Sequence, residues 1–394
     1  MAEDGVDMPT NTKNEHQPRS VVAVFGDAAG FGGRAQAGVF QYARERQHWI
    51  VRKSRREFSV KSLHEVGAAG VIGQFASERM SEIVRSYGAP VVNVSRVAER
   101  PFPLVTMNNE AIGRMAAQHL LDRGYRHLFC VSGKVIYAHE RARGFEEVAF
   151  AADCMASTVV LDDIAPRRDH ELEFERQVAA WMSNLPRPCG VFFAFWGAEA
   201  FAPVIHAAQV RVPEDVAMVM VGDDPVRCER EDPPVSTVDY PAEHIGYRAA
   251  QLLDAMMDGQ PAPKRPILID PTGVTERASS SAVAVNDPDV QFAAQYIRRN
   301  ACRDFDFRRL EEEITVSRRT LERRFRALLG RTLQEEVLRV QMEQAKYLLA
   351  ETDLSLQMVA ARSGMSGAQR LCHAFKEHMG MTPKQYRMSG RPHA

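Results

Sequence analysis

The sequence predicts a two-lobed α/β domain followed by an all-α domain that contains two helix-turn-helix units. Three observations support this fold class. Short apolar strands alternate with amphipathic helices from residue 20 to about residue 275, which is typical of parallel sheets built from βαβ units. After residue 300, a pattern of short helix, tight turn and second helix occurs twice. Positive charge is concentrated in the same C-terminal part of the chain.

Length and composition limit the class of protein before any motif is considered. The 394 residues are enough for two or three domains with real cores. Residues 1–19 are polar and lack a hydrophobic signal core, so we expect a disordered tail there. No apolar stretch is long enough to span a bilayer, and the six cysteines have no disulfide or metal-site spacing. We therefore expect a cytoplasmic protein with reduced cysteines.

The first domain is predicted over residues 20–278. A strand at its start is followed by an amphipathic helix over 34–47, and a later helix is expected over 111–123. About 250 residues of this alternation suit two doubly wound lobes with a cleft between them. The predicted strands are 21–25, 70–72, 90–94, 128–131, 157–161, 191–194 and 216–221.

The serine-rich segment 279–288 is predicted to be a linker to the second domain, which extends over 289–388 and is followed by a tail over 389–394. Ser317 and Ser366 are predicted to cap the second helix of each unit, because a serine oxygen accepts free backbone N–H groups at a helix start.

Each second helix is predicted to be held by one apolar face. The pairs Leu321/Phe325 and Leu371/Phe375 are spaced i, i+4, so each pair is expected to pack against a small core. The opposite face of each helix is then free to enter a major groove of DNA.

The charge distribution favours DNA as the partner. Residues 289–394 contain 19 Lys and Arg against 13 Asp and Glu, a net charge of +6, whereas residues 1–288 contain 31 against 38, a net charge of −7. An arginine-rich helix on its own more often presents a solvent-exposed face than a DNA-binding surface. Beside a capped turn that recurs downstream, the same arginines favour contacts with phosphates and bases.

The predicted contacts lie mainly on the second helices, because first-turn side chains of such helices reach base edges. Arg324 is expected to contact a phosphate instead of a base. The predicted DNA-binding residues are Ser317, Arg318, Arg319, Thr320, Arg323, Arg324, Ser366, Gln369, Arg370, His373 and Lys376.

The C-terminal domain resembles the AraC/XylS-type DNA-binding domain over about residues 290–388. The segments that resemble it are VSRRTLERRF (316–325), EQAKYLL (343–349) and MTPKQYR (381–387). Two positions differ from the usual pattern of that family. Met365 replaces an aromatic residue and is expected to fill the same apolar pocket. Gln341 replaces an arginine, which we interpret as the loss of a phosphate contact.

The N-terminal domain resembles the LacI/GalR-type effector domain, which has the periplasmic-binding-protein fold. The resemblance implies a ligand cleft between two lobes, and together the two resemblances cover nearly the whole chain. The segments that resemble it are AIGRMAAQHL (111–120), RARGF (141–145), VPEDVA (212–217), DPPVSTV (232–238) and IGY (245–247).

The same resemblance implies effector-binding residues. Arg141 matches the usual sugar-contacting arginine, whereas Gly222 in MVGDD (220–224) occupies the position of the usual sugar-binding aspartate. Asp223 or Asp224 would replace that carboxylate after a one-residue shift, and Trp196 would stack on an apolar sugar face or fill the cleft. The sequence leaves open whether the site is altered in this way or lost.

A rival interpretation is an NADP-dependent oxidoreductase-like sensor fused to a DNA-binding domain. GFGGRA (30–35) matches a dinucleotide-binding pattern, and RKSRR (52–56) follows at the distance where a 2′-phosphate would bind. Gly26 at the strand end lies four positions before Gly30, the first glycine of this pattern, however, which argues against the tight turn that the pattern needs. No catalytic or zinc-binding arrangement is present in the sequence, and no cofactor is expected.

The resemblances imply a sequence-specific transcriptional regulator of a carbohydrate-related operon, gated by a small ligand such as a sugar. We predict an activator that acts with RNA polymerase on a double-stranded operator and has no enzymatic activity. A homodimer formed through residues 20–275 is also expected, because one DNA-binding domain offers few phosphate contacts.

Overall fold

The computed structural model describes residues 18–26, 30–53, 58–161, 168–195, 201–222, 224–285, 287–303 and 305–389. The predicted N-terminal tail, except for Pro18 and Arg19, lies outside these residues. Trp196 and Asp223 also lie outside the described residues.

Residues 19–275 form two parallel α/β lobes, as the alternation of strands and helices predicts. The strands are β1 (Arg19–Val24), β2 (Trp49–Lys53), β3 (Ala68–Gly73), β4 (Val91–Asn93), β5 (Val105–Met107), β6 (His127–Gly133), β7 (Met155–Leu161), β8 (Cys189–Phe193), β9 (Val216–Val221), β10 (Ser236–Asp239), β11 (Ile267–Ile269) and β12 (Gly273–Thr275). The helices are α1 (Gly30–Arg46), α2 (Val60–Glu65), α3 (Glu78–Tyr87), α4 (Asn109–Leu121), α5 (Ile136–Ala151), α6 (Arg168–Ser183), α7 (Ala202–Ala208), α8 (Pro225–Arg230) and α9 (Ala242–Met257).

The first lobe contains a parallel sheet in the order β2-β1-β3-β4, and the second contains a sheet in the order β12-β10-β9-β8-β6-β7. Only β12 is antiparallel to its neighbour in the second sheet. The chain passes from the first lobe to the second after β5, returns after β10 to place α9 against α1, and passes again after β11. These crossings leave a cleft between the lobes.

All predicted strands are confirmed, and 216–221 has the predicted bounds. The short strands β5, β10, β11 and β12 were not predicted. The edge strand β2 was not predicted either, because its residues include the basic pair Arg52 and Lys53. The glycine cluster of the dinucleotide-binding pattern forms the first turn of α1.

The C-terminal domain is helical and has two separate cores, one for each unit. The helices are α10 (Pro288–Asn300), α11 (Phe307–Glu313), α12 (Arg318–Leu329), α13 (Leu333–Glu351), α14 (Leu356–Arg362), α15 (Ala368–Met379) and α16 (Pro383–Ser389). Leu321 and Phe325 are fully buried in the first core, and Leu371 and Phe375 in the second, as their spacing predicts. The long helix α13 contributes Leu333 to the first core and Leu349 to the second, so it joins the two units.

The segment predicted as a linker, 279–288, packs against both domains. Ser279 and Ser280 are fully buried beside β9 and β10, and the Ser279 hydroxyl donates to the Met218 carbonyl at 2.7 Å. Val283 and Val285 are buried in the core of the first helix-turn-helix unit. In the described ranges, no helix has both the length and the apolar character needed to cross a membrane.

Candidate nucleic-acid interface and effector cleft

The first helix-turn-helix unit consists of α11, a turn and α12. Ser317 caps α12 through its side-chain oxygen, which accepts from the Thr320 backbone N–H, so the predicted cap is confirmed. Thr315 in the turn donates its backbone N–H and hydroxyl to Asp289 at 3.0 Å. These bonds fix the direction in which α12 leaves the turn, because the otherwise free donors at the turn and helix start are satisfied.

The buried residues of α12 leave one face for a partner. Arg319, Arg323 and Arg326 are exposed and border an open concavity with Glu322 and Thr332. Among the described residues, neither Arg319 nor Arg323 has an ion-pair partner. Such guanidinium groups can donate to phosphates or to guanine without first breaking an internal bond.

Two other predicted arginines are already engaged within the domain. The Arg318 guanidinium lies 4.4 Å from the centre of the Phe307 ring and donates to Glu311 at 3.1 Å. Arg324 is half-buried, and its ion pairs join it to Asp287 at 3.3 Å and Asp289 at 3.9 Å. Arg324 therefore points toward the start of α10 and away from the exposed arginines.

The second unit consists of α14, a turn and α15. The prediction that Ser366 caps α15 is wrong: the helix begins at Ala368, and the cap position is Gly367, which has no side chain to accept a bond. The sequence pattern misplaced the helix start because Ser366 looks like a cap, but the chain continues one residue further before it turns into the helix. Met365 is buried in the second core, as expected for a residue that fills the apolar pocket.

The predicted residues of α15 share one exposed face. Gln369, His373 and Lys376 are spaced i, i+4 and i+7, and all three are exposed, as is Arg370. His373 lies 3.5 Å from Glu377 on the same helix. Both units therefore present a polar helix face opposite a buried apolar one.

Gln341 on α13 connects the two units. Its side chain is only 6% exposed, and its amide donates to the carbonyls of Ala301 at 2.9 Å and Gly364 at 2.8 Å. Gly364 has φ +74°, and a Cβ atom there would lie 2.2 Å from the Ala301 carbonyl oxygen. The interpretation of Gln341 as a lost phosphate contact is therefore wrong, because this buried position bonds the end of α10 to the turn of the second unit.

We expect Gln341→Met to lower the stability of the C-terminal domain by about 1–3 kcal/mol, because two buried carbonyls lose their donor. The calorimetric melting temperature of this domain measures the effect. Gln341→Arg retains several donors and is expected to cost less. The slope of log DNA affinity against log salt concentration should be the same for Gln341→Arg and the unmodified protein. A slope steeper by about one unit would contradict a buried, internal role for this position.

The effector cleft is a cavity of about 300 Å³ between the lobes. Its walls come from both lobes and from the crossing segments. The lining side chains that carry polar atoms are Gln74, Ser95, Arg96, Thr106, Asn109, Tyr137, Arg141 and Tyr240. Phe31, Val94, Val97, Met107 and Val221 contribute apolar surface. A small cavity with convergent polar groups and apolar walls is typical of small-molecule sites.

Arg141 is the central charge of this cleft. It is 7% exposed, its Nε donates to Asn109 at 3.0 Å, and one terminal nitrogen donates to the Ala194 carbonyl at 2.9 Å. The guanidinium carbon lies 4.6 Å from the centre of the Tyr137 ring. Burial lowers the pKa of Arg141, and no carboxylate of the described residues forms an ion pair with it.

A second group of residues supports this arrangement and was not predicted. Glu140 accepts from Asn109 at 3.0 Å and from Arg96 at 2.9 Å, so it orients two cleft residues at once. Tyr137 was predictable, because it lies one helical turn before Arg141 on the same face. Arg96 and Asn109 belong to other elements, and no local pattern relates them to Arg141.

Asp224, the other predicted effector residue that the structure describes, does not join Arg141 in the cleft. Asp224 accepts from the Arg227 backbone N–H and caps α8, and it is not among the described residues that line the cavity. Gly222 follows β9, and a Cβ atom there would be in ordinary contact with Thr237 at 3.7 Å. A side chain therefore fits at position 222.

A two-lobed ligand cleft joined to two helix-turn-helix units defines a DNA-binding regulator with an effector domain. The chain matches the periplasmic binding protein-like domain over residues 117–280 and the periplasmic binding proteins and sugar binding domain of the LacI family over 56–162. It matches a helix-turn-helix domain over 310–389. The chain is a transcriptional regulator that combines an AraC-type DNA-binding domain with a LacI-type effector domain.

Two of its relatives match over most of the chain. The chain is 25% identical to the xylose operon regulatory protein of Haemophilus influenzae over 84% of this chain and 88% of that one. It is 27% identical to the protein of the same name from Escherichia coli K12, over 81% and 83%. The structure of the xylose-binding transcription activator xylR superposes with a TM-score of 0.58 at 23% identity, over 95% of this chain and 99% of that one, and so has a similar fold.

Proposed function

We propose that this protein activates transcription of genes for the use of a sugar or sugar acid. A ligand in the cleft around Arg141 controls binding of α12 and α15 to successive major grooves of an operator. The observation that supports this most directly is the pair of exposed polar helix faces on a domain joined to a ligand cleft. Such a protein acts in the cytoplasm with RNA polymerase and has no catalytic activity.

Within the DNA-binding domain, we assign base contacts to Arg319 and Arg323 of the first unit and to Gln369, Arg370 and His373 of the second. Arg318 can join them after it releases Glu311. We assign phosphate contacts to Ser317, Thr320, Ser366 and Lys376. Arg324 is better suited to positioning α12, because Asp287 and Asp289 hold it.

The chemistry of the cleft favours a ligand that is rich in acceptors. The buried Arg141 guanidinium donates only to neutral groups among the described residues, so a ligand hydroxyl or carboxylate would be its strongest acceptor. A thermal-shift panel of D-xylose, L-arabinose, D-ribose, D-glucose, D-glucuronate and D-galacturonate tests this, since a ligand that binds only the folded state raises the melting temperature.

Two variants on α5 test whether a thermal shift comes from binding in the cleft. Arg141→Gln should abolish the shift, whereas Arg143→Gln should retain it, because the Arg143 side chain is 68% exposed and pairs with Glu110 outside the cleft. An equal shift in both variants would contradict the assignment of the cleft. If none of the six compounds shifted the unmodified protein, the proposed ligand class would be wrong.

We expect D-xylose to bind the unmodified protein weakly, because Gly222 supplies no carboxylate. Gly222→Asp should strengthen binding by about 10- to 100-fold, the value of one hydrogen bond to a charged group. Titration calorimetry measures both affinities, and Gly222→Asn is the uncharged control of the same size. Micromolar affinity in the unmodified protein would mean that the site has its usual carboxylate elsewhere.

We further propose that the protein is a homodimer formed through the α/β domain. Two copies would present four second helices and enough phosphate contacts for binding at cellular salt. Sedimentation velocity at micromolar concentration should show twice the monomer mass. A monomer both alone and on DNA would contradict this.

A further inference from the structure

The turn after α4 joins the effector domain to the DNA-binding domain. Arg331 donates to the backbone carbonyl of Asp122, and the Asp122 carboxylate lies 3.5 Å from Arg339 Nη1 and 3.9 Å from Arg331 Nη1. The Arg123 carbonyl accepts from the Ala284 backbone N–H at 2.8 Å. Asp122 therefore contacts the DNA-binding domain directly, and Arg123 contacts the segment 279–288 that leads to it. Gly124 packs beside both, since a Cβ atom there would lie 3.0 Å from Val285 and 3.2 Å from Leu329.

On the DNA-binding side, Arg331 and Arg339 also hold the fully buried Glu336. The Glu336 carboxylate accepts from Arg331 at 2.5 Å and from Arg339 at 2.7 Å, and Arg298 lies 3.6 Å away. The Arg298 side chain is only 8% exposed, and its three guanidinium nitrogens have no hydrogen-bond partner among the described residues. A buried charge with unsatisfied donors is costly, so Arg298 lowers the net stabilisation that this cluster provides.

The other end of α4 lies in the effector cleft. Asn109, the first residue of the helix, lines the cavity and accepts from Arg141. The helix has 13 residues and is therefore about 20 Å long. A Cβ atom on Gly113 would lie 1.9 Å from the Arg141 carbonyl oxygen, so α4 and α5 pack with their backbones in contact and must move together.

We propose that α4 transmits the state of the effector cleft to the DNA-binding domain, and that Asp122 is the positioning residue at its far end. A ligand that changes the bonds of Arg141 and Asn109 would shift α4 along its packed face. That shift would make or break the pairs of Asp122 with Arg331 and Arg339 and so change the orientation of both helix-turn-helix units. This inference rests on the proposed function.

A double-mutant cycle on the full-length protein tests the link without any ligand. The probe is a DNA duplex selected by the unmodified protein from a random-sequence library. DNA affinity is measured for Arg141→Gln, Asp122→Asn and the double variant. Arg141 contacts the start of α4, whereas Asp122 follows its end, so independent effects of the two substitutions on DNA affinity would multiply. We expect the DNA affinity of the double variant to differ by at least threefold from the value that two independent effects would give.

The matched control replaces Asp122→Asn by Glu82→Gln, which removes the same charge from an exposed position on α3. Its effect should multiply with that of Arg141→Gln. As a second measurement, Arg141→Gln alone should change the rate of backbone hydrogen exchange at the start of α13. This measurement does not need the Asp122→Asn variant, so it tests the inference even if that variant folds poorly. Multiplicative effects together with unchanged exchange would overturn the inference but not the proposed function. Failure to select any duplex would overturn both.

Discussion

Glu336→Gln is expected to destabilise the C-terminal domain by about 3–5 kcal/mol, the usual cost of removing one partner from a buried ion cluster. Glu336 is fully buried and is the shared partner of Arg298, Arg331 and Arg339. Glutamine has nearly the same shape but no charge, so Arg298 loses its ion pair, and Arg331 and Arg339 lose the buried carboxylate that they share. The ion pairs of Arg331 and Arg339 with Asp122 would offset only part of the lost attraction.

Differential scanning calorimetry should show the transition of this domain at a temperature lower by more than about 10 °C. Glu343→Gln is the matched control, because Glu343 is on the same helix and pairs with the same Arg339 but is 44% exposed. Its cost should stay below about 1 kcal/mol. Equal effects of the two variants would mean that the Glu336 cluster is solvated.

The same carboxylate makes stability depend on pH. Burial raises the pKa of Glu336, but the hydrogen bond and charge of Arg339, with the charges of Arg331 and Arg298, outweigh burial and hold this pKa far below 4.5. A lowered folded-state pKa means that the stabilisation is complete above the unfolded-state pKa and is lost as pH falls. Between pH 5 and pH 3, stability should therefore decrease in the unmodified protein and less in Glu336→Gln.

Loss of Arg319 and Arg323 is expected to abolish specific DNA binding. Each guanidinium is exposed on α12 with no competing ion pair among the described residues, and each bidentate contact to a base contributes about 1–3 kcal/mol of discrimination. Arg319→Ala and Arg323→Ala should each weaken binding to a selected duplex by about 10- to 100-fold. The double variant should bind selected and random duplexes with similar affinity.

Fluorescence anisotropy with both duplexes at two salt concentrations separates base contacts from phosphate contacts. Arg299→Ala is the control, because Arg299 is exposed on α10 of the same domain but lies on neither second helix. Arg299→Ala removes the same charge and should have little effect on the affinity for either duplex. Equal loss on selected and random duplexes would show that Arg319 and Arg323 contact only the backbone.

Patterns within a few residues of one another were sufficient to predict much of this protein. The spacing of Leu321 and Phe325 placed the buried face of α12, and Ser317 marked its start, since both depend on helix geometry alone. The apolar run 216–221 defined a central strand because both of its sides are covered. The charge difference between the two parts of the chain indicated which domain contacts DNA.

The positions that tertiary structure decided are those where partners are distant in sequence. Arg324 was predicted to contact a phosphate and Gln341 was interpreted as a lost phosphate contact, but their partners Asp287, Ala301 and Gly364 lie 23 to 40 residues away. These bonds form only because α12 and α13 pack against α10, and α13 also packs against α14. A residue's type shows which bonds it can make, whereas its neighbours in space determine which bonds it does make.

The effector cleft and the contact between the domains show the same division. Arg141 was predicted from a resemblance in one segment, but Asn109 and Arg96 join it in the cleft only when α4, α5 and a crossing segment meet. The serine-rich segment 279–288 has the composition of a loop, yet Ser279 and Ser280 are buried beside β9 and β10, and Val283 and Val285 are buried in the core of the first helix-turn-helix unit. The sequence by itself determined the two domain types and the free faces of the second helices, since these depend on local periodicity and charge. Only the tertiary structure decided which polar residues form the cleft and the junction, because their burial and pairing depend on contacts between distant elements.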